Sequence, residues 1–183
     1  AHVCGGAGKD HLSVDIGPAT IYGDAGTGSK TVENGVDKPL PCASGPGAAD
    51  SIQGSTVADT IAGQDGGDDI TGGTGNDKLT GGNGTDTILP GAGDDEVDGG
   101  GNDDIGSYAD RASEPMTIDL RSGKTSGATG TAEKDALTSI ETGVGGPDND
   151  TLYGSPDAVV IDGGTGNDTL NGSTAVDVLI GAA

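Results

Sequence analysis

A period of nine residues runs through the middle of this chain and restricts what it can fold into. Aspartates fall at Asp50, Asp59, Asp68, Asp77, Asp86 and Asp95, and an aliphatic follows each two positions later, at Ile52, Ile61, Ile70, Leu79, Ile88 and Val97. The clearest units read G-G-T-G-N-D-K-L-T (Gly72 to Thr80) and G-G-N-G-T-D-T-I-L (Gly81 to Leu89). A disordered Gly/Asp-rich tract has no reason to hold such a phase, so the spacing predicts a stack of repeats.

Each unit divides into a six-residue turn and a three-residue strand. Glycines at the first, second and fourth positions, such as Gly72, Gly73 and Gly75 or Gly81, Gly82 and Gly84, allow positive φ and leave backbone carbonyls uncovered. The sixth-position aspartate adds a hard, charged oxygen. In the strand the eighth residue points inward and the seventh and ninth outward, in keeping with Thr60, Asp69, Lys78, Thr87 and Glu96 at the seventh positions. Two turns and two strands close one coil, and each coil advances the stack by about 4.8 Å. Loops one coil apart therefore lie over one another. The expected columns are Asp68, Asp86 and Asp103 on one edge and Asp59, Asp77 and Asp95 on the other. Paired carboxylates among carbonyls form an all-oxygen environment that suits Ca²⁺ better than the rigidly hydrated Mg²⁺. The fold class expected is all-β, a parallel β-roll or β-solenoid with calcium in its turns.

Charge and composition agree with this. The formal charge is -22 and there is no Phe or Trp, so cations are natural partners, and nucleic acid and anionic membranes are not. No run of eighteen apolar residues occurs, which argues against membrane insertion. One inward aliphatic per nine residues gives little burial to set against chain entropy of about 1 to 2 kcal/mol per residue, so folding should be coupled to the ion. His2 and His11 are the only histidines, with no H-E-x-x-H or G-x-S-x-G. No catalytic constellation is expected.

Along the chain, four regions are expected. Residues 1–44 read as irregular coils with one unit at 5–13, which carries Asp10. Cys4 and Cys42 are candidates for a disulfide there, with two free thiols as the alternative. Residues 45–106 form the regular array, headed by Asp50. Its last unit fits if one residue is deleted before Gly101, which puts Asp103 at the ligand position and Ile105 at the inward one. Residues 107–144 break the rule, with strand-like runs at Met116 to Leu120 and Ala136 to Ile140 on either side of a Gly/Ser/Thr stretch. Larger coils or an inserted hairpin would account for it. Residues 145–183 resume the array, with Asp150, Asp168 and Asp177 at sixth positions and Val159 where an aspartate is expected.

These units resemble the RTX, or haemolysin-type, calcium-binding repeat G-G-x-G-x-D-x-U-x, with U aliphatic. The resemblance implies a parallel β-roll that is secreted or on the cell surface and folds where calcium is plentiful. Two cysteines and an end close behind the last unit depart from that family's habit, so export by a route other than type I secretion, with Ala1 as the mature end, is expected, with a piece excised from a longer protein as the alternative. Calcium loops near both ends suggest half-sites that a second copy completes, giving a head-to-tail homopolymer. The alternative is a monomeric calcium-dependent adhesin or a non-catalytic accessory module of a larger protein.

Overall fold

The computed structural model describes residues 2–4, 11–13, 20–22, 47–111, 115–127, 134–157 and 159–181. Asp10 and Cys42 lie outside these residues, and with them the expected first loop and the disulfide. No helix occurs among the described residues, so none is long and apolar enough to cross a membrane.

Strands are numbered in chain order and form two sheets. One sheet runs in the order β1 (His2–Cys4), β3 (Thr20–Tyr22), β5 (Thr60–Asp65), β7 (Lys78–Asn83), β9 (Glu96–Gly101), β13 (Ala136–Thr138), β12 (Lys124–Gly127), β11 (Met116–Asp119), β15 (Thr151–Tyr153) and β17 (Thr169–Asn171). The other runs β18 (Val178–Ile180), β16 (Val160–Asp162), β14 (Thr142–Val144), β10 (Ile105–Ser107), β8 (Thr87–Ala92), β6 (Asp69–Thr74), β4 (Ser51–Gln53) and β2 (His11–Ser13). Odd and even strands of the array separate into the two sheets, as one coil per two units requires. The fold is a parallel β-solenoid.

Register follows the sequence period. Ile61 pairs with Leu79 and Leu79 with Val97 in one sheet; Ile52 pairs with Ile70 and Ile70 with Ile88 in the other. A slip of one residue would turn the aliphatics outward, so burial locks the pairing. All six are at most 1% exposed and form the spine of a single core. Cutting Ile70 to Ala should cost about 2–5 kcal/mol. Denaturant unfolding in saturating calcium measures it.

Two expectations are corrected at the end of the array. No residue is skipped: Asp104, not Asp103, continues the nine-residue phase, and its side chain is fully buried whereas Asp103 is exposed. Gly106, not Ile105, then takes the inward place opposite Ile88. Glycine is tolerated there because Ile140 fills the space; a Cβ on Gly106 would lie 3.3 Å from Ile140 Cγ2.

The region after the array is an inserted antiparallel meander. Strand β11 pairs antiparallel with β12, and β12 antiparallel with β13, while the outer members rejoin the solenoid in parallel, β13 on β9 and β11 on β15. Its middle strand comes from the Gly/Ser/Thr stretch, which the sequence suggests only as a separator. Tyr108 and Met116 plug the core at this point.

Candidate metal centre

The loops are held in register by a ladder of backbone-to-carboxylate bonds. The N–H of Asp50 donates to Asp68 Oδ1 at 2.7 Å, Asp68 to Asp86 at 2.8 Å, and Asp86 to Asp104 at 2.8 Å. On the other edge Asp59 donates to Asp77 and Asp77 to Asp95, both at 2.7 Å, and Asp95 to Asp135 at 2.9 Å. Beyond the meander, the N–H of Met116 donates to Asp150 at 2.7 Å, and Asp150 to Asp168 at 2.9 Å. The carbonyl of each rung accepts from the next coil in turn, as when Thr87 N–H donates to Asp68 at 2.7 Å. Oδ1 thus has a structural task in Asp68, Asp77, Asp86, Asp95, Asp104, Asp135, Asp150 and Asp168. What differs is Oδ2.

In Asp68, Asp77, Asp86, Asp95, Asp104 and Asp168 the Oδ2 atom is buried and accepts no hydrogen bond. In Asp59 it accepts from Ser55 N–H at 2.7 Å and from Ser55 Oγ at 2.8 Å. In Asp150 it accepts from Gly146 N–H at 2.6 Å, and in Asp177 from Ser173 N–H. Asp135, which the sequence does not single out, has its Oδ2 taken by Tyr108 Oη at 2.8 Å and Thr125 Oγ1 at 3.1 Å.

Backbone conformation at the second and fourth loop positions separates the two kinds. In the loops ending at the six bare aspartates, both positions have positive φ, from +78° to +145°, including the non-glycines Gln64 and Asn102. In the loops ending at Asp59, Asp150 and Asp177, neither position does; these places hold Ser55 and Val57, Gly146 and Asp148, and Ser173 and Ala175. Where the second residue stays at negative φ, its own N–H reaches the aspartate. Where it crosses to positive φ, no such bond forms and the carboxylate oxygen is left bare. Side chains with a branched Cβ resist the crossing, and glycine does not.

Carbonyls converge on the bare oxygens. A Cβ placed on Gly72 would meet Asp77 Oδ2 at 2.7 Å and, closer still, the carbonyl of Pro90 one coil on. Gly63 faces Asp68 Oδ2 and the Gly81 carbonyl in the same way, and Gly81 faces Asp86 Oδ2 and the Gly99 carbonyl. First-position glycine is needed because the oxygens occupy the space of a side chain. Among the described residues no three His, Cys, Asp or Glu converge as a ligand group. Carbonyls must therefore supply most of any shell, a donor set for a hard cation.

Electrostatics shows the carboxylates unsatisfied. Burial pushes Asp68 up to about 6, helped by the charges of Asp86 and Asp50 and opposed by the Asp50 N–H. Asp95 rises to about 7, through burial first and then the charges of Asp135 and Asp77. Burial, with Asp86 and Glu141, brings Asp104 to about 6, and burial also raises Asp77, Asp86 and Asp150. Asp177 is held below the usual range, chiefly by the Ser173 N–H. A buried anionic column stable at neutral pH needs cations, and among the described residues the chain brings the positive charge of Arg111 to Asp95 and Asp135 alone of these columns.

A profile of the RTX calcium-binding nonapeptide repeat matches the chain in four copies, at residues 47–79, 63–97, 80–106 and 144–182, together more than half its length. No curated protein matches it.

Proposed function

Because the chain belongs to the RTX calcium-binding nonapeptide-repeat family, we propose that it is a secreted, non-catalytic structural protein whose β-roll is folded by calcium held at Asp68, Asp77, Asp86, Asp95, Asp104 and Asp168. The observation that carries this reading is that these six aspartates combine a buried Oδ2 atom without a hydrogen-bond partner with a loop that holds two left-handed residues. Asp59, Asp150 and Asp177, whose Oδ2 atoms are engaged by their own turns, contribute less.

Comparison of Asp77→Asn with Asp59→Asn tests it. Asparagine keeps an oxygen for the ladder and removes the negative charge in either place. Asp77→Asn should weaken calcium binding by about tenfold or more, equivalent to about 1.4 kcal/mol or more, and Asp59→Asn by much less. Calcium titration calorimetry reads both. Equal losses would contradict the assignment.

End-to-end association into filaments or a surface layer is a second reading. It is favoured by the coil at β18, where Val178, Leu179 and Ile180 are 52%, 49% and 43% exposed and Val176 is 86% exposed. Sedimentation velocity in millimolar calcium decides between large species that dissolve with chelator and a compact monomer. A monomer would favour an adhesin or accessory module.

A further inference from the structure

We propose that the segment Ser139–Glu141, outside the matched repeats, completes a further calcium site over Asp104, with Asp104 Oδ2, the Ser139 carbonyl and the Glu141 carboxylate as ligands. This rests on the calcium reading above and extends it to residues that no repeat unit contains.

Within the array, a bare aspartate oxygen shares the face of its first-position glycine with a carbonyl from the coil above. At Asp104 the regular array has ended, and the meander provides the next layer. The geometry is nevertheless reproduced. A Cβ on Gly99 would lie 2.6 Å from Asp104 Oδ2 and closer still to the carbonyl of Ser139, just as one on Gly81 would meet Asp86 Oδ2 and the Gly99 carbonyl. Ser139 therefore stands in the place of a first-position glycine. It reaches that place with a φ of +51°, a conformation that serine seldom adopts.

Glu141 stands in the place of the aspartate. Its Oε2 accepts the N–H of Asp104 at 2.9 Å, as each array aspartate accepts from the coil below, and its own N–H donates to the Asp104 carbonyl at 3.1 Å. The turn has shrunk from six residues to three, Ser139, Ile140 and Glu141, and the longer glutamate side chain makes up the lost reach. Its other oxygen, Oε1, is the one assigned to the ion.

Asp104 itself points to an ion. It is fully buried, and its Oδ2 accepts no hydrogen bond. The charged groups acting on it are Asp86, Glu141 and Asp103, all acidic. The opposite edge closes its column with hydrogen bonds. There Asp135 is sealed by Tyr108 and Thr125, and the positive charge of Arg111 acts on Asp95 and Asp135. Among the described residues, neither a hydroxyl nor a basic side chain serves Asp104 in that way. An oxygen cluster with net negative charge and a carbonyl turned toward it is a calcium site by chemistry.

The test is the number of calcium ions bound by the full chain, counted by native mass spectrometry and by equilibrium dialysis with Ca²⁺, in the wild type and in Glu141→Gln. Glutamine retains an oxygen for the Asp104 N–H. The expected result is one ion fewer in Glu141→Gln, with the wild-type circular dichroism spectrum in calcium. An unchanged count with unchanged affinities would overturn the site while leaving the array reading intact. A wild type that binds no calcium would overturn both. Should Glu141→Gln fail to fold, a crystal structure of the wild type grown with calcium decides. An ion within about 2.3–2.6 Å of Asp104 Oδ2 and the Ser139 carbonyl supports the site, and no ion there overturns it.

Discussion

Gly84→Val is expected to remove calcium from two adjacent loops and to raise the calcium concentration at the folding midpoint by about tenfold or more, a loss of about 1.4 kcal/mol or more. Gly84 has a φ of +132°, and a Cβ there would collide with the carbonyl of Gly66 in the loop below. Valine cannot occupy that conformation without strain of about 1–3 kcal/mol. Two ligand loops, those ending at Asp86 and Asp68, would have to move apart. The chain already contains the natural counterpart of the variant. Val57 holds the same place in the loop ending at Asp59, and there the carboxylate is engaged by Ser55. Calcium counting together with a dichroism-monitored titration measures the effect. A Gly84→Val protein with the wild-type count and midpoint would show that the left-handed fourth position is not what opens the site.

Acid is expected to rescue the chelated protein. Asp68 and Asp104 at about 6 and Asp95 at about 7 lie well above the ordinary aspartate value of 3.8. The metal-free roll therefore binds more protons than the unfolded chain between pH 4 and 7. Its stability rises as pH falls through that window, is fully gained below about 4, and is lost as pH rises through 6 to 7. Protonation also relieves the repulsion behind a formal charge of -22. With chelator present, strand content should be low at pH 7.5 and increase toward pH 4.5. With calcium present the sign reverses, because protons compete for the same oxygens: the calcium midpoint should rise as pH falls below about 7. Far-UV circular dichroism across pH, with and without calcium, checks both. Strand content that falls with acid in the chelated protein would contradict the buried-carboxylate account.

The solenoid was legible in the sequence because its two periodic signals, aspartate and inward aliphatic, reinforce one another from Asp50 to Val97. Where they part, the reading slipped. Ile105 is aliphatic but faces outward, and following it moved the expected ligand to Asp103; following the aspartates alone leads to Asp104. The division of aspartates into bare and engaged was present as letters only in part: Ser55, Val57, Ser173 and Ala175 replace glycine in two engaged loops, but Gly146 opens a third, and the bare loops admit Gln64 and Asn102. Its meaning depends on a hydrogen bond from a negative-φ residue that composition does not show. Asp135, Tyr108, Thr125 and Glu141 were not legible. Asp135, Tyr108 and Thr125 meet through the antiparallel insertion of β12, and Glu141 meets Asp104 on the other edge; these are contacts between distant segments that no local period encodes.

The most direct test of the central claim is a calcium titration of chelator-stripped protein at pH 7.5, with heat and far-UV circular dichroism followed on the same sample. Cooperative uptake of several ions is expected, with strand signal appearing in step with the ions bound. A full strand signal before any calcium is added, or calcium uptake without gain of strand, would contradict it.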